Sequence, residues 1–156
     1  MLAKTFGSAV LGVNAYSITI EVNVINGLGF YLVGLPDSAV KESEQRVESA
    51  IKHFGYLFPR IKVIINMAPA DLKKEGSAYD LPIALGVLQA SAQINAPELD
   101  KYVIMGELSL DGTLRSIKGV LPIAIEARKQ GFKGLIIPTE NAGEASIVNQ
   151  IFYCTL

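Results

Sequence analysis

Cysteine, histidine and tryptophan are nearly absent from this sequence: its 156 residues include one cysteine, one histidine and no tryptophan. Cys154 has no partner for an internal disulfide bond, and His53 has no second histidine or cysteine at the spacing of a metal site or a histidine-based triad. No signal-peptide pattern follows Met1, and no apolar run is long enough to span a bilayer. We therefore expect a cytoplasmic protein without a membrane segment.

An excess of charge of either sign is also missing. Lys and Arg number 14 against 15 Asp and Glu, which leaves a formal net charge of -1. Without a general basic field, binding to nucleic acid or to an anionic membrane must depend on a local patch. Half of the residues are hydrophobic, which predicts one domain, residues 1–156, with its own core.

The first part of the chain has the alternating pattern of β-strands. Hydrophobic side chains at Ile18, Ile20, Val22 and Val24 alternate with polar ones. Residues 26–29, Asn-Gly-Leu-Gly, are typical of a hairpin turn, and FYLVGL predicts the returning strand of an antiparallel meander. The glycines of GLGFYLVG lack the spacing of a dinucleotide-binding fingerprint, and a strand follows them where that fingerprint requires a helix.

Helices and strands alternate in the rest of the chain. One helix is predicted from an N-cap at Asp37 or Ser38 to Gly55, and a second, apolar on all sides, begins near residues 78–80 after the polar loop ADLKKEGSAY. The other predicted elements are strands at RIKVIINMAP and KGLIIP, two strands around the Asp111-Gly112 turn, a helix at GVLPIAIEARKQG with Val120, Ile123, Ala124 and Ala127 inward, and a last helix capped by Thr139 or Asn141. This order predicts one mixed α/β (α+β) domain.

Three long blocks carry a family resemblance: GLPDSAVKESEQRVESAI, INMAPADLKKEGSAYDLPIALGVL and GELSLDGTLRSIKGVLPIAIEARKQGFKGLIIPTENAGEA. In this order they resemble the N-terminal domain of the ComM/YifB family of magnesium-chelatase-subunit-I (ChlI)-like AAA+ ATPases. The resemblance implies a Lon-protease-like domain of the ribosomal-protein-S5-domain-2 type, with a mixed sheet and packed helices, in front of an ATPase module. It also implies a role in DNA branch migration during natural transformation, carried out by a hexameric motor.

The sequence lacks the nucleotide site that the motor of such a protein needs. No G-x-x-x-x-G-K-[ST] occurs in the 156 residues, so we expect no ATP hydrolysis and no cofactor in this chain. The resemblance implies that ATP and Mg belong to an ATPase module outside this sequence. That module, within a homo-hexamer, is the expected partner, with DNA as a further one.

The likeness to Lon proteases raises the question of whether Ser77 is a nucleophile. Lon enzymes use a Ser-Lys dyad, and alignment with their motif places the serine position on Ala78 and the lysine position on Leu121. Ser77 is one residue away, a rotation of about 100° at the start of a helix. We therefore expect no catalytic residue here, and Gly76 and Ser77 to form the loop that starts the helix, with Ser77 capping or orienting it.

Two readings of this loop stay open. A shifted dyad of Ser77 with Lys118, Lys73 or Lys74 would make the chain a cryptic Lon-type peptidase. Asp80 either caps the following helix or pairs with a neighbouring lysine, and nothing in the sequence requires it to do chemistry.

Contact with DNA has local support in two short basic stretches. Arg60 and Lys62 lie at the start of the strand predicted at RIKVIINMAP, and Lys73 and Lys74 lie on a polar loop where they could meet phosphate oxygens. The alternative is an ordinary solvated loop, because no aromatic residue that could stack on bases stands between those lysines. Magnesium-chelatase chemistry itself has no metal-ligand cluster to support it in this sequence.

Overall fold

A long antiparallel hairpin is the centre of the fold. The structure, a computed structural model, describes residues 1–148 and the backbone of residues 152–155. Strands β1 (Leu2–Leu11) and β2 (Asn14–Ile25) pair over their whole length, from Leu2↔Asn23 to Leu11↔Asn14. The turn between them uses Gly12, whose φ of 62° is a left-handed conformation that glycine tolerates. The predicted alternation is confirmed, because the even-numbered residues from Ile18 to Val24 are all buried.

The hairpin lies within a seven-stranded mixed sheet of order β3-β4-β2-β1-β5-β8-β9. The β2/β4 pair is antiparallel like β1/β2, while β3/β4, β1/β5, β5/β8 and β8/β9 are parallel. A separate antiparallel pair is formed by β6 and β7 around the predicted Asp111-Gly112 turn. The strands not yet bounded are β3 (Phe30–Val33), β4 (Lys62–Ala68), β5 (Tyr102–Ile104), β6 (Glu107–Leu108), β7 (Leu114–Arg115), β8 (Gly134–Ile137) and β9 (Phe152–Thr155).

The predicted hairpin between β2 and β3 is wrong. β4 lies between these two strands, antiparallel to β2 and parallel to β3, so residues 26–29 are a connection and not a hairpin turn. The physical reason is the length of the match, since β2 and β4 share seven paired positions, from Thr19↔Ala68 to Ile25↔Lys62. That pairing also places the buried Ile65 beside Val22. β3 has only four residues and would bury fewer such cross-strand pairs against β2.

The helix predicted from residue 37 to residue 55 consists of two helices, α1 (Ser38–Lys41) and α2 (Ser43–His53). Asp37 is confirmed as the N-cap of α1, because its Oδ1 accepts the Val40 N–H at 2.7 Å. The break lies at Glu42, whose ψ of -12° tightens the chain between the two helices. α2 then buries Val47, Ala50 and Ile51 and leaves its charged face exposed.

Helices cover both faces of the sheet. In β1, the Thr5 hydroxyl donates to Pro82 O in α3 (Asp80–Ala90), while the ring of Phe6 packs against Phe132, which follows α4 (Val120–Lys129). Because consecutive strand residues point to opposite faces, α3 and α4 lie on opposite sides of the sheet. Both helices agree with prediction: α3 starts at Asp80 and is buried nearly all round, and the four predicted inward positions of α4 are all buried.

Asn141 does not cap the last helix, α5 (Ala142–Ala145), with its side chain. Its amide instead accepts the Ile117 N–H at 3.0 Å and donates to Ile117 O at 2.9 Å, which fixes the chain before α4. Thr139 begins a 3-10 turn, Thr139–Asn141, and a second such turn, Leu99–Lys101, precedes β5. In the described part of the chain, no helix has both the length and the apolar character needed to cross a membrane.

Candidate functional site

A polar cleft of about 550 Å³ contains the serine that the sequence singles out. We call it the serine cleft; residues 75–79, Glu107, residues 116–118, Ser8 and Val10 are among those that line it. It thus lies where the loop before α3, the start of β6 and the turn before α4 meet β1. A larger groove, about 680 Å³, is lined almost entirely by apolar side chains of α2, α3 and the β6/β7 pair and holds none of the predicted site residues.

The loop before α3 is held by hydrogen bonds on both sides. Asp37 Oδ2 accepts the Gly76 N–H at 3.1 Å, and Gly76 has a φ of 87°, which suits a residue without a Cβ. Ala78 O accepts the Gly106 N–H at 2.8 Å, and the Leu81 N–H donates to Gly106 O at 3.0 Å. Ser77 is therefore presented on a rigid turn, as a functional side chain needs to be.

Ser77 does not cap α3, which corrects the expectation from the sequence. Its hydroxyl donates to Glu107 Oε2 at 2.7 Å, and Tyr79 occupies the N-cap position without a side-chain bond to the helix. The two positions that match the Lon dyad, Ala78 and Leu121, carry side chains that cannot transfer a proton. The hydroxyl in this cleft thus has a carboxylate as its partner and not an amine.

None of the three candidate lysines bonds to Ser77 in the described structure, and two of them do not line its cleft. Lys73 is exposed and pairs with Glu75 at 3.5 Å, and Lys74 is buried under its own loop. Lys118 is exposed and lines the serine cleft, yet it makes no hydrogen bond or ion pair with any described residue. Of the possible shifted dyads, only Ser77 with Lys118 is brought into one cleft.

Lys74 is not a DNA contact, because its side chain is 0% exposed. The ammonium donates to Gly34 O at 2.7 Å and to Pro69 O, and the backbone of Lys74 bonds to Leu35 and Asp37. Burial lowers the pKa of Lys74 from its ordinary value of 10.5, with Asp71 opposing this shift. The lysine stabilises the crossing of two loops and presents no charge to solvent.

The remaining basic candidates do not form one patch. Lys62 begins β4, where its ammonium lies 5.3 Å from the ring centroid of Tyr31, and Arg60 is exposed just before it. Lys73 follows the other end of the strand, and seven residues of β-strand extend about 20 Å. The two predicted halves of a DNA contact are therefore at opposite ends of β4.

Asp80 neither caps α3 nor pairs with a lysine; its partner is an arginine of α2. Its two oxygens accept from Arg46 Nε at 2.6 Å and Nη2 at 3.0 Å, and Oδ2 also accepts the Leu108 N–H at 3.0 Å. Burial raises the pKa of Asp80 above its ordinary value, against the opposing effects of Arg46 and the Leu108 N–H. The hydrogen bond to Asp80 in turn raises the pKa of Arg46. This buried pair joins α2, α3 and β6 beneath the cleft.

Glu107, Tyr79 and Arg46 were not identified from the sequence as members of the site. Arg46 reads as one of several charges on an exposed helix face, and Glu107 lies 30 residues from the serine that it binds. The one available signal was the Gly-Glu pair at the start of the second β-pair, which stands in the family-like block. Side-chain pairing over such separations depends on the sheet topology, which the local pattern does not define.

Residues that could hold a nucleotide or a metal are not identified among those that the structure describes. The P-loop pattern is absent from the sequence, and no group of three or more His, Cys, Asp or Glu residues in the described part of the chain is placed to hold a metal ion. ATP and Mg are therefore not assigned to any residue of this chain.

Comparison with known proteins identifies the family. The family model for subunit ChlI of Mg-chelatase matches residues 20–141. The chain is 50% identical over 150 residues, 96% of its length, to an uncharacterized protein, YifB, of Salmonella typhimurium, and 46% identical over 149 residues, 95% of its length, to competence protein ComM of Haemophilus influenzae. It spans 29% of the length of each of these relatives.

Similarity to a protease supports the fold. The chain is 31% identical to Lon protease 2 of Bacillus subtilis over 115 residues, which is 73% of this chain and 20% of that protein. Together with the mixed sheet and its packed helices, this match confirms the expected Lon-like, S5-domain-2-like fold. The chain belongs to the Mg-chelatase ChlI family and is the N-terminal, Lon-like domain of its ComM/YifB group.

Proposed function

We propose that this chain is a non-catalytic accessory domain of a ComM/YifB-type AAA+ ATPase and helps to assemble the ATPase ring. The observation that carries the proposal is the bond of the Ser77 hydroxyl to Glu107 in the serine cleft. Ala78 and Leu121 stand at the positions that the Lon resemblance assigns to the dyad. A carboxylate is a much weaker base than the neutral amine of a Ser-Lys dyad, so this pairing does not activate a serine well.

The similarity to ComM and YifB suggests what the full-length protein does. In the full-length protein, the ATPase module would bind ATP and Mg, form a hexamer with its copies, and act in DNA branch migration during natural transformation in the cytoplasm. The name of the Haemophilus influenzae relative, competence protein ComM, supports the link to transformation. This domain would act by contact with its own ATPase module.

A reagent that labels activated serines tests the absence of catalysis. We expect a fluorophosphonate probe to leave Ser77 unlabelled in the intact domain, under conditions in which it labels a control Ser-Lys peptidase. Labelling that disappears in Ser77→Ala and in Lys118→Met would overturn the non-catalytic assignment.

A cryptic peptidase is the second candidate function, and one observation favours it: Lys118, with no partner among the described residues, lines the same cleft as Ser77. In that mechanism a neutral Lys118 amine would take the Ser77 proton as the oxygen attacks a peptide carbonyl. The labelling experiment distinguishes the two functions, because only the peptidase needs both side chains.

Guidance of DNA has little support from the placement of the four predicted contacts. Of the four predicted contacts, Lys74 is sealed from solvent, Lys73 is paired with Glu75, and Arg60 and Lys62 lie at the other end of β4. Fluorescence anisotropy of the domain with single-stranded, duplex and four-way-junction DNA over a salt series tests this point. We expect at most weak binding at low salt. Tight binding that weakens steeply with salt and is lost in Arg60→Glu or Lys73→Glu would favour DNA guidance instead.

A further inference from the structure

One side of β3 is an open sheet edge. β3 pairs in parallel with β4 and has no other strand partner in the described part of the chain. Gly29 O accepts the Val63 N–H at 2.9 Å, so the backbone groups of the odd-numbered residues of this strand face β4. The N–H and C=O groups of Phe30 and Leu32 therefore point away from the sheet, where an added strand can bond to them.

Charge, which usually protects such an edge, is absent from β3 and from the residues on either side of it. The sequence has no charged residue between Glu21 and Asp37. Two side chains of β3 are instead apolar and exposed, Tyr31 at 49% and Val33 at 47%. Native proteins commonly place lysine on an exposed edge strand to prevent pairing with another chain. An uncharged apolar edge of this kind is available for a partner strand.

Just after β3, a leucine is held outward in a strained conformation. Leu35 has a φ of 57°, a left-handed conformation that is uncommon for a bulky side chain, and it is 53% exposed. The buried Lys74 maintains this conformation, because its N–H donates to Leu35 O at 3.0 Å and its ammonium donates to Gly34 O at 2.7 Å. Backbone strain persists only where the surrounding structure requires it. Leu35 thus adds a third exposed apolar side chain beside the open edge.

The open edge defines the chemistry of its partner. The partner must be an extended segment with no charge, with apolar side chains, and with free backbone groups on every second residue. β3 of a second copy meets each of these requirements, because it presents the same two free residues and the same apolar side chains. A surface that is complementary to itself is the condition for a two-fold contact between identical chains.

We propose that two copies of this chain pair through β3, as antiparallel strands around a two-fold axis at Tyr31. Phe30 of one copy exchanges both backbone bonds with Leu32 of the other, so the free residues of both copies are paired. The two Tyr31 residues face each other as a non-hydrogen-bonded pair, with a Cα separation of about 4.5 Å. Val33 lies opposite Gly29 of the other copy. The Tyr31 ring covers that glycine, since a Cβ there would lie 2.8 Å from the ring, so Val33 packs against the ring.

This contact differs from the one that builds a ring. A two-fold pair uses the same surface on both copies and is closed, whereas a ring needs two different surfaces in head-to-tail contact. In a full-length hexamer, pairing through β3 would join a domain of one ring to a domain of another. The pairing is therefore independent of the proposed ring assembly, and its failure would leave that function standing.

Sedimentation velocity of the 156-residue chain, over a concentration series into the high micromolar range, tests the pairing. We expect a monomer–dimer equilibrium. Val33→Lys should weaken the dimer roughly ten-fold or more, because it places a charge in the contact. Val13→Lys is the matched control: it makes the same change at an 86% exposed valine in the turn between β1 and β2, and it should leave the dimer unchanged. Circular dichroism checks that both variants are folded.

Cysteine cross-linking tests the register. In a Cys154→Ser background, which removes the only native cysteine, Tyr31→Cys should form a disulfide-linked dimer when oxidised by copper-phenanthroline in air. The Cα separation across the axis suits a disulfide bond. Val13→Cys in the same background should remain monomeric.

Each measurement has a result that contradicts the proposal. A monomer throughout the concentration series would overturn the pairing of two copies. A dimer that Val33→Lys does not weaken, or that Val13→Lys weakens as much, would overturn β3 as the contact. A dimer without the Tyr31→Cys cross-link would overturn the antiparallel register.

Discussion

At the scale of single residues, the charged pair beneath the serine cleft determines the stability of the site more than the serine does. Asp80 is 0% exposed and receives three hydrogen bonds, two from Arg46 and one from Leu108. Breaking a buried pair leaves one charge without compensation, which costs far more than the pair gains. Ser77, which is only partly buried, makes a single bond that water can replace.

Replacement of Arg46 by Met should destabilise the domain by roughly 3–5 kcal/mol, because it leaves the Asp80 carboxylate buried and unpaired. Glu42→Gln is the matched control, since Glu42 lies 3.6 Å from the same guanidinium but its side chain is 70% exposed. We expect the control to cost less than about 1 kcal/mol. Urea unfolding of the three proteins makes the comparison; equal effects of the two substitutions would contradict this account of Asp80.

Lys74 predicts a pH dependence of stability with a defined sign. The pKa of Lys74 in the folded protein lies below its ordinary value of 10.5. At a pH between the folded pKa and 10.5, the unfolded chain therefore binds more protons than the folded chain. The free energy of unfolding should therefore rise with pH in this window, relative to that of Lys74→Met. Lys73→Met, an exposed neighbour, should keep the pH dependence of the wild type. A difference between wild type and Lys74→Met that falls as pH rises would refute the assigned direction.

At the scale of elements, the close contact between α3 and β2 depends on a glycine. α3 is apolar all round, and Gly86 faces the strand so closely that a Cβ there would lie 2.6 Å from Val22 Cγ2. The position of α3, and hence of Ser77 and Asp80 at its start, depends on this small residue.

Gly86→Ala should destabilise the domain by roughly 1–3 kcal/mol despite the higher helix propensity of alanine, because it overpacks the contact with Val22. Gly143→Ala is the control in α5, where a Cβ meets nothing within 4 Å, and it should be neutral or slightly stabilising. Thermal unfolding of both variants measures the difference. In a Val22→Ala background, Gly86→Ala should cost less than it does in the wild type, because the methyl group that it meets is gone. An equal cost in both backgrounds would show that the clash is not the cause.

The elements that were predicted correctly are those whose signal is local. The start of α3 follows from Pro82 in a first turn, and the buried face of α4 follows from its apolar period. The order of β2, β4 and β3 depends on which distant strand offers the longer pairing, which no local window contains. For the same reason the loop of Ser77 could be found from the sequence, while its partner Glu107 and the Asp80–Arg46 pair could not.

At the scale of the whole molecule, the sheet separates residues and helices that the sequence alone suggests are close together. The basic residues predicted to act together lie at the two ends of β4, and α3 and α4 cover opposite faces. The polar residues of one loop, one turn and one strand end meet in the serine cleft, which Ala78 also lines. The chain thus has a Lon-like fold, and the positions that the resemblance assigns to the Lon dyad carry Ala78 and Leu121.

The most direct test of the central claim is the assembly state of the full-length ComM/YifB-type protein with ATP and Mg, measured by sedimentation velocity. We predict hexamers for the wild type and for Ser77→Ala, and smaller species when the segment corresponding to residues 1–156 is removed. Hexamers of unchanged stability without this domain would contradict its role in ring assembly, and loss of the protein's activity in Ser77→Ala, with hexamers intact, would contradict its being non-catalytic.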